Sequence, residues 1–129
     1  MALDYPVAPD MIATLHEDMV SCWRPRAPVW APSAHPLVNN VLPMKPGWHG
    51  TSALYAVQVL LHLGCRRIRL CGCPLDGSVH YYGPATLQPY LTHYRSGWLN
   101  ALPDIRAFVR SAGGWTGKLL GTPDEDPVA

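Results

Sequence analysis

The chain has 129 residues, of which 48% are hydrophobic and 15% are charged, and its formal net charge is +1. These values predict one globular domain, residues 1–121, and the acidic residues 122–129 predict a disordered tail. A near-neutral chain without a Lys/Arg run is not expected to bind nucleic acid. The longest apolar stretch, residues 53–63, is too short to cross a bilayer, and the N-terminus does not resemble a signal peptide, so we expect a cytoplasmic protein that does not bind membranes.

The first half of the chain is rich in breakers and contains one clear helix. Apolar residues at helical spacing predict a helix over residues 9–23, and a short strand follows at residues 27–32, closed by proline. The next segment is irregular or forms short strands. Residues 51–63 are apolar on most of a helix circumference, which is typical of a helix buried against a sheet. The one polar stripe of this helix consists of Thr51, Tyr55, Gln58 and His62.

The second half continues the alternation of strands and helices. Residues 66–73 alternate in polarity as a strand does, and a loop at residues 74–84 leads to a helix over residues 86–101. A last strand at residues 104–110 and a short helix or turn at residues 113–121 complete the domain.

This order predicts an α/β fold with a mostly parallel sheet. We expect Ile68 and Leu70 to lie in a central strand, flanked by a strand that ends near Leu42 and by the last strand of the chain.

The four cysteines are Cys22, Cys65, Cys71 and Cys73. Two of them fall on one face of a predicted strand, where neighbouring side chains rarely bridge, so we interpret all four as reduced thiols. The alternative is a metal site made by Cys71, Cys73 and His80. Structural zinc sites usually separate paired cysteines by two or more residues, so we predict no metal.

Two loops lead from a strand to a helix and should meet at the carboxyl edge of the sheet. In the first, Gly50, Thr51 and Ser52 open the buried helix, and a glycine-bearing turn at a helix N-terminus can hold a phosphate. The simpler interpretation is ordinary helix capping by Thr51 or Ser52. His49 in the same loop could contact a bound anion.

The second loop carries the densest group of chemically active side chains. His80 is a candidate general acid or base, and Tyr81 and Tyr82 are candidate donors to a phosphate. Asp76 is a candidate for binding a ribose or orienting His80. The simpler interpretation is a turn built on Asp76-Gly77, with aromatic side chains packed over the sheet edge.

The segment GTSALYAVQVLLHLGCRRIRLCGCPLDGSVHYY resembles a block found in bacterial sialyltransferases and in the related domain that resembles hydroxymethylpterin pyrophosphokinase. The shared features are a Gly/Ser/Thr turn before an apolar helix, an LG turn, a strand that ends in Gly, and a loop with Asp and Tyr. Small bacteriophage proteins of the same superfamily are more similar still and share an ending like RSAGGWTGKLLGTP.

This resemblance implies a Rossmann-like three-layer sandwich that binds a nucleotide, which in the sialyltransferases is a CMP-sugar donor. It implies that residues 50–52 lie near the nucleotide and that Tyr81, with Tyr82, binds the phosphate of the donor and assists its departure. His93 is the positional candidate for the catalytic base of the family. Family members begin with a strand and a glycine-bearing nucleotide loop, and residues 1–46 here contain no glycine. We therefore expect that the first β-α unit is lacking.

Two functions remain open at this point. The first is a nucleotide- or nucleotide-sugar-binding protein which, if it is an enzyme, transfers a glycosyl group with His80 or His93 as base and Tyr81 as phosphate partner. The alternative is a non-catalytic remnant that serves as a binding or assembly module in a phage. A shortened parallel sheet leaves an uncovered edge strand, so we expect a homo-oligomer, in the host cytoplasm if a phage encodes it.

Overall fold

The computed structural model describes residues 9–20, 27–76 and 88–125. Short strands alternate with helices in this part of the chain, which confirms the α/β class. The elements are β1 (Ile12–Ala13), β2 (Val29–Ala31), β3 (Asn40–Val41), α1 (Ser52–His62), β4 (Ile68–Leu70), α2 (Gln88–Ile105), β5 (Val109–Ser111) and α3 (Gly114–Leu120), with 3-10 turns at Glu17–Met19 and Pro123–Glu125.

The strands form two parallel groups. One group has the order β1-β2-β3, with Ile12 opposite Val29 and Trp30 opposite Asn40. In the other, β4 pairs with β5. The prediction that β4 is parallel to the last strand is confirmed. The prediction that β4 is also flanked by the strand ending near Leu42 is wrong for the described residues, because β3 pairs with β2 and α1 crosses from β3 to pack against both β1 and β4.

The predicted helix over residues 9–23 is wrong in its described part. Ile12 donates its backbone N–H to the carbonyl of Pro28 (2.8 Å), and Thr14 donates to the carbonyl of Trp30 (3.0 Å). The apolar residues had helical spacing, but the ladder with β2 satisfies the backbone as a strand. Tertiary pairing has overridden the local preference, as is common for short segments.

The helix predicted over residues 51–63 is confirmed as α1, and its polar stripe has a structural purpose. Tyr55 donates to the carbonyl of Leu42 (2.9 Å), and Gln58 donates through Nε2 to the carbonyl of Pro43 (2.8 Å). The side-chain oxygen of Gln58 accepts the N–H of Lys45 (3.1 Å). Tyr55 and Gln58 therefore satisfy backbone groups of the irregular chain that follows β3.

The main core lies where the three helices pack on β4 and β5. Its buried members are Trp48, Leu54, Val57, Ile68, Leu70, Trp98, Ala101, Ile105, Val109 and Leu120. Helix α2 continues to Ile105, so the last strand begins at Val109 and not at residue 104 as predicted. Residues 126–129 of the predicted tail lie outside the described part. No helix within the described residues is both long enough and apolar enough to span a membrane.

Candidate functional site

Helix α1 begins at the carboxyl ends of β1 and β3, where the sequence analysis expects a ligand. Leu15, which closely follows β1, donates its N–H to the hydroxyl of Ser52 (3.0 Å). Tyr55, in the first turn of the helix, holds the carbonyl of Leu42 just after β3. These two hydrogen bonds fix the start of α1 against the edge of the β1-β2-β3 group.

Thr51 is the N-cap residue of α1. Its hydroxyl accepts the N–H of Leu54 (3.2 Å) and the indole N–H of the fully buried Trp98 (3.2 Å). Together with the contact of Ser52, these bonds match the helix-capping interpretation, and both hydroxyls are engaged by the protein. The N–H groups at the start of a helix have no intrahelical acceptor, and they are what this turn offers to an anion.

The loop before α1 lies directly against helix α2. Gly50 has a φ of +108°, and a Cβ there would lie 3.0 Å from the Cα of Tyr94. Gly97 of α2 faces the carbonyl of His49 so closely that no side chain would fit between them. Asn100 donates to the carbonyl of Gly47 (3.0 Å). Glycine is required at both faces of this contact because two stretches of backbone approach each other.

The contact between the loop and α2 brings together a set of side chains that we name the His49–His93–Ser96 cluster. The two imidazole rings stack with their centroids 4.4 Å apart at 23°. His49 Nε2 lies 2.7 Å from the hydroxyl of Ser96, which also lies 2.7 Å from the carbonyl of His93. A carbonyl can only accept, so the single proton of the Ser96 hydroxyl goes to the carbonyl of His93. His49 must then donate to Ser96, which assigns a proton to Nε2 of His49.

The same turn of α2 also holds the loop that follows β4. Arg95 donates to the carbonyl of Leu75 from Nε (2.9 Å) and from Nη2 (2.6 Å), and its guanidinium stacks 5.0 Å from the ring centre of Trp115. Leu75 has a φ of +49°, which non-glycine residues rarely adopt. The two predicted site loops therefore meet one helical turn, residues 93–96, from two sides.

Glu17 contributes a carboxylate beside the start of α1. Its Oε2 atom is buried and has no hydrogen-bond partner among the described residues. Burial and then the charge of Glu17 raise the pKa of the Tyr55 hydroxyl, which places the carboxylate close to the first turn of the helix. A buried acceptor without a donor costs free energy that a bound hydroxyl or amine would recover.

The structure brings together only some of the predicted site residues. Residues 50–52 and His93 meet through the contact of the loop with α2. Asp76 is exposed at the end of the described loop. His80, Tyr81 and Tyr82 lie outside the described residues. Within the described part, no group of three His, Cys, Asp or Glu side chains is arranged to hold a metal ion.

Sequence reasoning missed Ser96 and Glu17. Glu17 falls within the helix predicted over residues 9–23, and in the structure it lies in a 3-10 turn instead. For Ser96, one signal was available, because residues three apart on a helix share a face and His93 and Ser96 lie on the predicted second helix. His49 was considered, but nothing in the sequence indicated that its ring meets that of His93.

No protein-family model matches this chain, and no curated protein or solved structure matches it.

Proposed function

We propose that this protein binds a nucleotide-containing small molecule at the carboxyl edge of its parallel strands. The observation that carries the proposal is the His49–His93–Ser96 cluster, which lies beside the N-terminal turn of α1. An imidazole N–H, such as one of the exposed His93 ring, can donate a hydrogen bond to a phosphate oxygen, and the first N–H groups of a helix do the same. The imidazole of His93 and the first N–H groups of α1 lie close together in space, because the loop before α1 packs against α2.

The parallel pairing of the described strands and the crossing of α1 between the two strand groups support a Rossmann-like arrangement. Helix α1 leaves β3 and packs against β1 and β4, on the far side of β2. The described strands form two separate groups, and a Rossmann-like sheet of order 3-2-1-4-5 would place β1 beside β4, with a switch point between them at which the chain reverses direction across the sheet. Ligands of open α/β sheets bind at such a switch point. In this proposal β1 takes the place of the first family strand, which the sequence analysis expected to be lacking.

Each part of the ligand has a candidate partner. The phosphate would lie between the cluster and the first N–H groups of α1. The buried oxygen of Glu17 would accept a hydrogen bond from a hydroxyl of the ribose or the sugar, because it is an acceptor without a donor among the described residues. If the protein is a glycosyltransferase, as its resemblance to sialyltransferases suggests, the donor is a nucleotide-sugar and His93 is the described candidate for the base.

A non-catalytic binding or assembly module is the second candidate function. The observation that favours it is that the hydroxyls of Thr51 and Ser52 both bond within the protein. We also propose a homo-oligomer located in the cytoplasm. The free thiols support that location, and the edge strands β3 and β5, each paired on one side in the described residues, support oligomerisation.

The test is calorimetric titration of the full chain with CMP, CDP, a CMP-sugar and inorganic phosphate. We expect a nucleotide to bind, and we expect His93→Ala to weaken its binding at least about tenfold, which corresponds to about 1.4 kcal/mol. The matched control is His62→Ala, since His62 is also an exposed helical histidine but lies at the far end of α1.

Incubation with the CMP-sugar and detection of released CMP distinguishes the two functions. Release of CMP with transfer of the glycosyl group to water, if His93→Ala abolishes it, supports transfer chemistry, and binding without release supports the module. If no compound binds at millimolar concentration, or if the His93 and His62 variants bind equally well, the nucleotide proposal is wrong.

A further inference from the structure

A pair of thiols lies at the end of β4 and takes no part in the proposed nucleotide site. Cys71 and Cys73 flank Gly72 directly after Leu70, the last residue of the strand. Both cysteines are free, Cys71 exposed and Cys73 half-buried. The expectation that they share the face of a strand is wrong, because the strand ends before either of them.

The backbone at Gly72 turns the Cys73 side chain back towards the backbone of Cys71. In an extended strand, residues two apart are about 6–7 Å from each other, which is long for a disulfide. Gly72 instead has a φ of +74°, in the left-handed region, so the chain turns between the two cysteines. The Sγ of Cys73 lies 3.6 Å from the carbonyl oxygen of Cys71, and the second sulfur is thus folded back over the first residue.

The carbonyl of Cys73 is held by a hydrogen bond, whereas Gly72 borders open space within the described residues. The hydroxyl of Thr116 donates to the carbonyl of Cys73 (2.6 Å), and the next carbonyl, that of Pro74, accepts the N–H of Trp115 (2.8 Å). By contrast, a Cβ on Gly72 would meet no atom of the described residues within 4 Å. The space beside Gly72 leaves room for the turn to adjust as the bond forms.

The electrostatics of the pair assign different roles to its two thiols. Burial, and then the charge of Cys71, raise the pKa of the Cys73 thiol. Because the thiolate is the nucleophile in disulfide exchange, the exposed Cys71 is the attacking residue and Cys73 is the resolving residue.

We propose that Cys71-Gly72-Cys73 is a thiol–disulfide exchange site whose substrates are small disulfides such as glutathione disulfide. The thiolate of Cys71 attacks one sulfur of the substrate, which forms a mixed disulfide and releases one thiolate. Cys73 then loses its proton and attacks the sulfur of Cys71, which closes the protein disulfide and releases the second thiolate. The two cysteines are oxidised, one substrate disulfide is reduced to two thiols, and excess thiol reverses the reaction.

The test uses the full chain carrying Cys22→Ser and Cys65→Ser, which leaves this pair as its only cysteines. The reduced protein is incubated with glutathione disulfide, quenched with acid, and analysed by intact mass and by peptide mapping without reductant. We expect the main product to be the intramolecular disulfide. In the Cys73→Ser variant we expect the mixed disulfide at Cys71 to become the main product, an increase of at least about tenfold, because the intramolecular second step is lost.

The role of the turn is tested with a matched pair of glycine variants. Gly72→Val should lower the yield of intramolecular disulfide severalfold, because valine rarely adopts the left-handed conformation. Gly64→Val is the control, since Gly64 also has a positive φ (+95°) and open space around it but does not lie between the thiols. It should lose similar stability and leave disulfide formation unchanged.

Three results would overturn the proposal. They are an unreactive dithiol, a product with glutathione on both cysteines, and a disulfide that forms mainly between two protein chains. An equal effect of the Gly72 and Gly64 variants would likewise reject the role of the turn. None of these measurements depends on nucleotide binding, so the two proposals stand or fall separately.

Discussion

The starts of helices α1 and α3 look alike in sequence and differ in what they offer to a ligand. Each follows a turn with glycines, Gly47 and Gly50 before α1 and Gly113 and Gly114 at α3. At α3 the first N–H groups already have an acceptor. The backbone N–H groups of Trp115 and Thr116 both donate to the carbonyl of Pro74, at 2.8 and 3.3 Å.

At α1 the capping contacts come from side chains. The hydroxyl of Thr51 accepts the N–H of Leu54, and the hydroxyl of Ser52 accepts the N–H of Leu15. Within the described residues, no backbone carbonyl from another part of the chain accepts the first N–H groups of α1. A glycine turn before a helix is therefore not enough to make an anion site. The path of the neighbouring chain decides whether the first amides remain available.

The largest effect should come from breaking the contact that places the α1 loop. In Gly97→Ala, the new methyl would overlap the carbonyl of His49. Alanine favours a helix by up to about 1 kcal/mol over glycine, but a forced backbone displacement outweighs this gain. We expect the free energy of unfolding to fall by about 2 kcal/mol in denaturant titrations.

The control for this variant is Gly113→Ala, where the new methyl meets no atom within 4 Å. Its free energy of unfolding should change by no more than about 0.5 kcal/mol. Equal stability of the Gly97 variant and the parent chain would show that the loop does not lie against α2.

A smaller effect is expected at the start of α3. Thr116 is fully buried, and its hydroxyl contacts both the carbonyl of Cys73 (2.6 Å) and the hydroxyl of Ser111 (2.7 Å). Thr116→Val keeps the shape and removes these bonds, so unfolding should become easier by about 1.5 kcal/mol. Thr92→Val, at an exposed site on α2, is the matched control. If both variants lose the same stability, the buried hydroxyl does not clamp the loop after β4.

The smallest expected effect is a pH dependence of the free energy of unfolding that comes from the Tyr55 hydroxyl, at the start of α1. Burial raises the pKa of the Tyr55 hydroxyl above its ordinary 10.0, so the unfolded chain releases this proton first. The folded state then binds more protons than the unfolded state, and its stability should fall as the pH rises from about 10 through the raised pKa. In Tyr55→Phe this fall should flatten, as measured by unfolding at a series of alkaline pH values. A profile as steep as that of the parent would contradict the assignment.

Local sequence patterns predicted α1 well because its signals agree with one another. An apolar surface, a Thr cap and Gly64 after the last turn all indicate the same element, and the helix observed over Ser52–His62 follows. The short strand predicted at residues 27–32, closed by proline, is likewise observed over Val29–Ala31. The pattern at residues 9–23 was misleading, since its helical spacing competed with a pairing to β2 that lies far away in the sequence.

The candidate site was predictable only in its parts. The sequence placed Gly50 and Thr51 at a helix start and named His93 on a later helix. It carried no signal that the two would meet, because the contact between His49 and His93 depends on how α2 packs against the loop. The burial of the Glu17 oxygen, which has no partner among the described residues, could not be predicted either, because burial depends on the folded chain.

By itself, the sequence determined the α/β class, the buried helix α1 and the free state of the described thiols, because composition, periodicity and capping act over a few residues. The tertiary structure alone decided that residues 12–13 form a strand, that Gly97 admits the carbonyl of His49, and that Gly72 turns Cys73 back towards Cys71. Each of these outcomes depends on atoms distant in the chain or on a backbone angle that glycine permits without requiring it. Local preferences are worth about 1 kcal/mol per residue or less, so a few long-range hydrogen bonds and close backbone contacts are enough to override them.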